Sequence, residues 1–229
     1  MQLFRGYVPT KDKQCLEKFK GRKRLNTLED VQDLDEYAAI LGEETILIDV
    51  DDGETSDLLF KIVQDLALKC RVYATTRGKH FYFKNPEGYV EKSWTKQTLA
   101  LGIETDAKVG RNNSYAIMRF KGVDRPMLQD CPEDEIQELP KWLTPVKTNM
   151  KFLDTAATAD ALDITEEDLS YLRDIAEREA INRFTTAEIK VEQTNTNYID
   201  KETDLDGIMD AWANDFAEKL DVSEEGVHE

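Results

Sequence analysis

The sequence predicts a mixed α/β domain of the α+β kind, and three features of its patterning carry that expectation. Apolar, β-favouring runs at 45–50, 70–75 and 80–84 are too short for helices. The segment 56–69, between the first two, sets Leu58, Leu59, Ile62, Val63 and Leu66 on one helical stripe. Turn-forming residues at 76–79 and 110–113 punctuate the strands that follow.

Taken in order, residues 2–8 predict a short strand ending at Pro9, since proline cannot donate to a ladder. Residues 27–37 predict a short helix, with Thr27 and Asp30 in the places of a capping box. Strand 45–50 and helix 56–69 come next, then strand 70–75, a turn around Gly78 and strand 80–84. Residues 103–109 and 114–120 predict a hairpin across Gly110, Arg111, Asn112 and Asn113. The domain is expected to span 1–147, closing near 140–145 where Trp142 and Leu143 can dock the chain. Residues 148–229 read as an acidic, mainly helical region. There a helix over 163–183 begins with Thr165 as N-cap and acids in its first turn. Residues 184–204 form a polar linker, and 205–220 align Leu205, Ile208, Met209, Trp212, Phe216 and Leu220 on one face of an acidic helix. Such a face suits packing on its own domain or docking on a partner protein.

Charge is distributed unevenly. The net charge of −17 over 229 residues divides into −2 for residues 1–150 (23 Lys and Arg against 25 Asp and Glu) and −15 for 151–229 (7 against 22). Within the near-neutral part, Lys11, Lys13, Lys18, Lys20, Arg22, Lys23 and Arg24 form a basic stretch. That stretch suits phosphate contacts, or a solvated lysine-rich surface. Cys15, Cys70 and Cys131 are odd in number and widely spaced, which fits a reducing cytoplasm better than a disulfide framework. With His80 and His228 as the only histidines, no zinc tetrad is expected. No apolar run reaches the ~20 residues of a membrane span, and residues 1–13 lack a signal-peptide core, so no membrane association is expected.

The chemistry begins at Ile46-Leu47-Ile48-Asp49-Val50-Asp51-Asp52. On a strand, Asp49 and Asp51 share a face with Cα atoms roughly 6.5 Å apart, given a rise of ~3.3 Å per residue. Paired carboxylates of this kind suit hard divalent cations, and like charges at the end of an apolar strand are costly without one. The segment Thr75-Thr76-Arg77-Gly78-Lys79-His80 places hydroxyls, cations and backbone N–H groups in a glycine turn, a composition suited to a triphosphate. It delivers His80 onto an apolar, aromatic strand. In Glu104-Thr105-Asp106-Ala107-Lys108, the residues Glu104, Asp106 and Lys108 share a strand face. Taken alone, each segment is more often a helix cap, an ordinary strand histidine or an exposed polar face.

In order and spacing, the three segments resemble the motifs of the archaeo-eukaryotic primase superfamily, in particular the primase–polymerase domains of phages and plasmids. That family's first motif, an apolar strand ending in Asp-x-Asp, is matched by Asp49 and Asp51. Its second, a small residue and glycine ahead of a histidine, is matched by Thr76, Gly78 and His80, and its third, a single acid on a strand, by Asp106. The resemblance covers roughly residues 1–147. It implies a catalytic core with an RRM-like sheet, and a DNA primase or polymerase in phage or plasmid replication. Asp49, Asp51 and Asp106 would hold two Mg²⁺ or Mn²⁺ ions. His80 and Thr76 would contact the phosphates of an NTP or dNTP, with Arg77, Lys79 and Lys108 neutralising phosphate charge. It further implies single-stranded DNA template and primer as partners, and a host-cytoplasmic location. A replicative helicase on another chain could dock at the acidic C-terminal helices. The family's zinc-binding insertion has no counterpart here. Two other classes fit parts of the pattern: a haloacid-dehalogenase-type phosphatase with Asp49 as nucleophile, and a primase-like binding module without catalysis.

Overall fold

The computed structural model describes residues 2–99, 102–145 and 159–178. The first strands are β1 (Phe4–Lys11), β2 (Gln14–Cys15), β3 (Tyr37–Leu41) and β4 (Thr45–Val50). Helix α1 (Gly53–Asp65) leads into β5 (Arg71–Ala74) and β6 (Lys79–Lys84). After them come β7 (Trp94–Thr98), β8 (Glu104–Val109), β9 (Tyr115–Phe120), β10 (Val123–Asp124) and β11 (Met127–Gln129). A short helix α2 (Ala159–Leu162) and a longer one, α3 (166–178), follow. The strands build two antiparallel sheets, ordered β10-β9-β3-β1-β2 and β11-β5-β6-β4-β8-β7, so the fold is α+β. One compact unit spans Met1–Ala176.

The second sheet is covered on both faces, and its sequence shows why. Along β4, Ile46, Ile48 and Val50 point one way and pack with Phe81, Phe83, Val72 and Val109 beneath α1. Helix α1 buries Leu59, Ile62 and Val63 there, and Asp52 caps it by accepting from the Thr55 N–H at 2.8 Å. Trp142 and Leu143 dock on this face as expected, joined by Leu172 and Ile175 of α3. Each of these large side chains, fully buried, stabilises by about 1.5–3 kcal/mol. The opposite face carries Leu47 and Tyr82, packed on Leu3, Leu41 and Ala116 of the first sheet and its flank. The site residues lie on this second face, further along the same strands.

Several expectations are corrected. Strand β1 runs through Pro9 to Lys11. The Thr10 N–H bonds towards β3, to Glu36, so alternation places the donor missing at Pro9 on the other side, where only two-residue β2 lies. Residues 28–34 form turns, not a helix. Asp30 does accept from the Thr27 N–H (2.8 Å) and hydroxyl (3.1 Å), but Leu28 and Leu34 stay exposed and give no apolar face to bury. The predicted hairpin over 103–120 is absent: β8 belongs to the second sheet and β9 to the first. The link between them is a 3₁₀ turn, Gly110–Asn112, followed by Asn113 in the left-handed region at φ 57°. Strands β2, β3, β7, β10 and β11 have no counterpart among the strands expected from the sequence. Helix α1 starts at Gly53, three residues earlier than expected.

For α3, Thr165 is the expected N-cap, accepting from the Asp168 N–H at 3.0 Å. The linker 184–204 and the helix 205–220 lie outside the described residues. Cys15, Cys70 and Cys131 are free thiols, and burial pushes that of Cys70 up to about 12. No helix among the described residues is long and apolar enough to cross a membrane.

Candidate active site

Strand register assembles the site. Asp49 on β4 lies directly opposite His80 on β6 and Asp106 on β8, and His80 in turn opposes Tyr73 on β5. Three segments separated in sequence thus form one row, Tyr73–His80–Asp49–Asp106, across four adjacent strands. Position along β4 sets the environment. Leu47 is core, the Asp49 side chain is 13% exposed, and the Asp51 side chain is 62% exposed. The shared face therefore runs from apolar packing out to solvent within four residues.

Asp49 is the electrostatic centre. Its Oδ2 lies 3.3 Å from His80 Nε2 and 3.6 Å from Lys108 Nζ. Its Oδ1 is buried and has no hydrogen-bond partner. Burial by itself would push the Asp49 carboxyl up. The hydrogen bond and charge of His80, with Lys108 beside it, outweigh burial and hold the carboxyl below the ordinary value. A carboxylate only accepts, so His80 Nε2 is the donor to Asp49. The other ring nitrogen, Nδ1, lies 3.4 Å from the Tyr82 hydroxyl and shares a hydrogen bond with it. Tyr82, two residues along the same strand, therefore orients the histidine.

The remaining predicted residues divide into two groups. Asp106 accepts from the Lys96 N–H at 2.8 Å, where β7 bulges and Lys96 takes φ 50°. Asp51 accepts from Arg77 at 2.7 Å. Thr76 Oγ1 accepts from Arg125 at 2.9 Å. Lys79 is on the other face of β6. Its ammonium bonds Ser56 (3.2 Å) and Asp57 at the start of α1, so it is not gathered with His80. Gly78 has a steric role: a Cβ there would sit 1.8 Å from the Val50 carbonyl oxygen, so only glycine lets the turn close over the end of β4. The turn is locked by the bond from the Thr75 N–H to the Gly78 carbonyl (2.8 Å) and by the Gly78 N–H to Thr75 Oγ1 (2.9 Å).

Arg125 is a site residue that the sequence reading does not find. It follows the two-residue β10, where its N–H bonds the Met118 carbonyl at 2.7 Å, while the next carbonyl, of Pro126, accepts from Ala74 at 2.8 Å. The pair thus clips the first sheet to the second. Burial lowers the Arg125 guanidinium from its ordinary value, against the opposing charges of Tyr82 and Asp49. Its Nε is buried without a partner.

Among the described residues no three His, Cys, Asp or Glu side chains converge as a ready metal cage. The donor chemistry nevertheless fits a hard divalent cation. Asp49 keeps one buried oxygen unpaired, and Asp106 stands directly opposite on the neighbouring strand, so two hard oxygen donors flank one position on adjacent strands. No family model, curated protein or solved structure matches the chain.

Proposed function

We propose that the row built on Asp49 is a metal-dependent nucleotidyl-transfer site. More particularly, we read the chain as a template-directed DNA primase–polymerase of the phage and plasmid kind, working in the cytoplasm of the host. The observation that carries this reading is the register itself, which sets Asp49 opposite both His80 and Asp106. The run β4–α1–β5–β6, with β8 added in the order β8-β4-β6-β5, accords with an RRM-like sheet.

In this reading Asp49 and Asp106, joined by Asp51, would hold Mg²⁺ or Mn²⁺. When bound, the metal lowers the pKa of the attacking 3′-hydroxyl and stabilises the pyrophosphate leaving group. The chain's own residues position and neutralise. Thr76, Arg77 and Arg125 present a hydroxyl and two guanidinium groups around the glycine turn, suited to the phosphates of an NTP or dNTP. Lys108 and His80 keep Asp49 ionised. Lys79 is better read as an anchor of α1. The acidic C-terminal region is kept as a docking segment for a replicative helicase. A phosphatase reading with Asp51 as acid/base has less support, because that carboxylate is exposed and bound by Arg77.

The test is incorporation of labelled nucleotide with Mn²⁺ or Mg²⁺ on a single-stranded template, with and without an annealed primer. Wild type is expected to extend the primer, and Asp49→Asn to lose that activity. Products without a primer would add initiation to the activity. Equal incorporation by the two proteins overturns the assignment of the site to Asp49, and none by wild type overturns the activity and leaves a primase-like binding module.

A further inference from the structure

We infer that a single-stranded nucleic acid runs along a track from Asp106 and Lys108, past Tyr115, onto the basic loop that joins β1 to β3. The inference rests on the proposed activity only in naming that strand the template.

Two hollows define the track. One, of about 500 Å³, lies between β7 and β8 of the second sheet and β9 of the first, with Lys13, Trp94, Asp106, Lys108, Asn113 and Tyr115 in its wall. The other, of about 730 Å³, is walled by Leu16, Lys18, Phe19, Lys20 and Tyr115. Tyr115 belongs to both, so the hollows adjoin, and the first ends on the site acid Asp106 and on Lys108, which contacts Asp49. Tyr115 is held in place: its hydroxyl donates to the Lys13 carbonyl at 3.3 Å, and its ring meets Phe19 edge-on at 6.1 Å and 84°.

Most of the positive charge along the loop is uncompensated. Residues 11–24 carry seven Lys and Arg against Asp12 and Glu17. Arg22 pairs with Glu17 at 2.9 Å, but Lys11, Lys13, Lys18, Lys20 and Lys23 form no ion pair among the described residues. Lys13 and Lys121 both stand 5.2 Å above the Phe120 ring, so Lys121 adds one further cation beside Lys13. Cations alone would serve any polyanion. Their alternation with half-buried Phe19 and Tyr115 is what selects an unpaired strand, whose bases can stack on aromatic rings while its phosphates meet lysine.

The test is binding of a fluorescent oligo(dT) to the full chain by anisotropy across a salt series, without nucleotide or metal. Lys18→Glu with Lys20→Glu, both exposed positions, is compared with Lys69→Glu and Lys141→Glu, an equal charge change at exposed positions outside the track. The loop pair is expected to weaken binding by about tenfold or more near 0.1 M salt, and to flatten the log–log salt slope by about 1.4, two phosphate contacts at ~0.7 each. The remote pair is expected to change affinity by less than about threefold, and a blunt duplex of equal length to bind more weakly than the single strand. Overturning results are a wild type that does not bind oligo(dT), a loop pair that binds as wild type does, a remote pair with an equal loss, or duplex binding as tight as single-strand binding. The two proposals fail separately. A loop pair that binds and extends normally removes the track and leaves the polymerase. Loss of oligo(dT) binding by the loop pair, in a protein that incorporates nothing, keeps the track and removes the polymerase.

Discussion

Replacing Gly78 with alanine probes how closely the site turn is built against β4. A Cβ at this position would lie 1.8 Å from the Val50 carbonyl oxygen and 2.9 Å from its carbon. Carbon–oxygen contacts much below about 3.0 Å are not tolerated in a close-packed interior, so the turn must withdraw by roughly 1.2 Å. The obstacle is backbone at the end of a central strand and cannot swing aside. Withdrawal disturbs the two hydrogen bonds that lock the turn, at 2.8 and 2.9 Å. Weakening both costs about 0.5–1.5 kcal/mol each, and overpacking adds about 1–3 kcal/mol, so the total is roughly 2–6 kcal/mol. That is a large share of the ~5–15 kcal/mol typical of a domain. Gly53→Ala is the matched control: its Cβ would meet nothing nearer than the Arg77 carbonyl oxygen at 3.4 Å, in the first turn of α1. It is expected to be neutral or stabilising by up to about 1 kcal/mol. Urea denaturation followed by far-ultraviolet circular dichroism measures both. A Gly78→Ala protein within about 0.5 kcal/mol of wild type would falsify the argument from close approach.

Three further outcomes are expected. Lys108→Met should reduce nucleotide incorporation by roughly tenfold or more, a loss of about 1.4 kcal/mol, while Lys79→Met keeps it, because Lys79 is tied to Ser56 and Asp57 on the other face of β6; equal losses in steady-state assays would contradict that division. Tyr82→Phe should cost about 1 kcal/mol and shift the His80 ring signals in NMR spectra, since the ring loses the hydroxyl at Nδ1; an unchanged imidazole spectrum would count against the orienting role. The folded Asp49 carboxyl is the stronger acid relative to the unfolded chain, so its contribution to stability is present above about pH 4 and lost as pH falls through its depressed value. Denaturation of wild type and Asp49→Asn between about pH 7 and pH 2.5 should therefore show their stability difference shrinking on the acid side; a constant difference would remove the pairing with His80 and Lys108 as its source.

The parts of the fold that were legible in the sequence are those in which one strand or helix announces itself. Residues 45–50 are an apolar run of strand length, α1 shows its stripe, and the Thr75–Gly78 turn separates two apolar strands. Strand β3 is different: all five residues, Tyr37–Leu41, are buried, so it lacks the alternation of a half-covered strand, and Ala38-Ala39 has no β preference. The capping pair Thr27 and Asp30 forms as read, but a cap without an apolar face does not hold a helix when the next residues are drawn into a sheet. The turn 110–113 was legible as a turn. That it passes the chain from one sheet to the other depends on Gly110, whose Cβ would sit 1.7 Å from the Gly42 carbonyl oxygen, a contact across 68 positions that no local pattern records.

The site follows the same division. Alternation along β4 and β8 places Asp49, Asp51, Asp106 and Lys108 on definable faces, and alternation along β6 separates His80 from Lys79. Period-two reasoning applied to Lys79 would have excluded it from the site, and applied to Tyr82 would have included it. Register is the property that the sequence withholds: nothing in three separate segments says that Asp49 will face His80 on one side and Asp106 on the other. Arg125 is further from reach, because it sits between strands of two and three residues and arrives through backbone bonds to Met118 and, by way of Pro126, to Ala74. The consequence is chemical as well as structural. Asp49, mostly buried with one oxygen shared between His80 and Lys108 and the other unpaired, is set up to stay ionised, whereas Asp51 is an exposed partner of Arg77. The two carboxylates of a single Asp-x-Asp are therefore unequal, and Asp49→Asn should cost both fold and activity where Asp51→Asn costs activity alone.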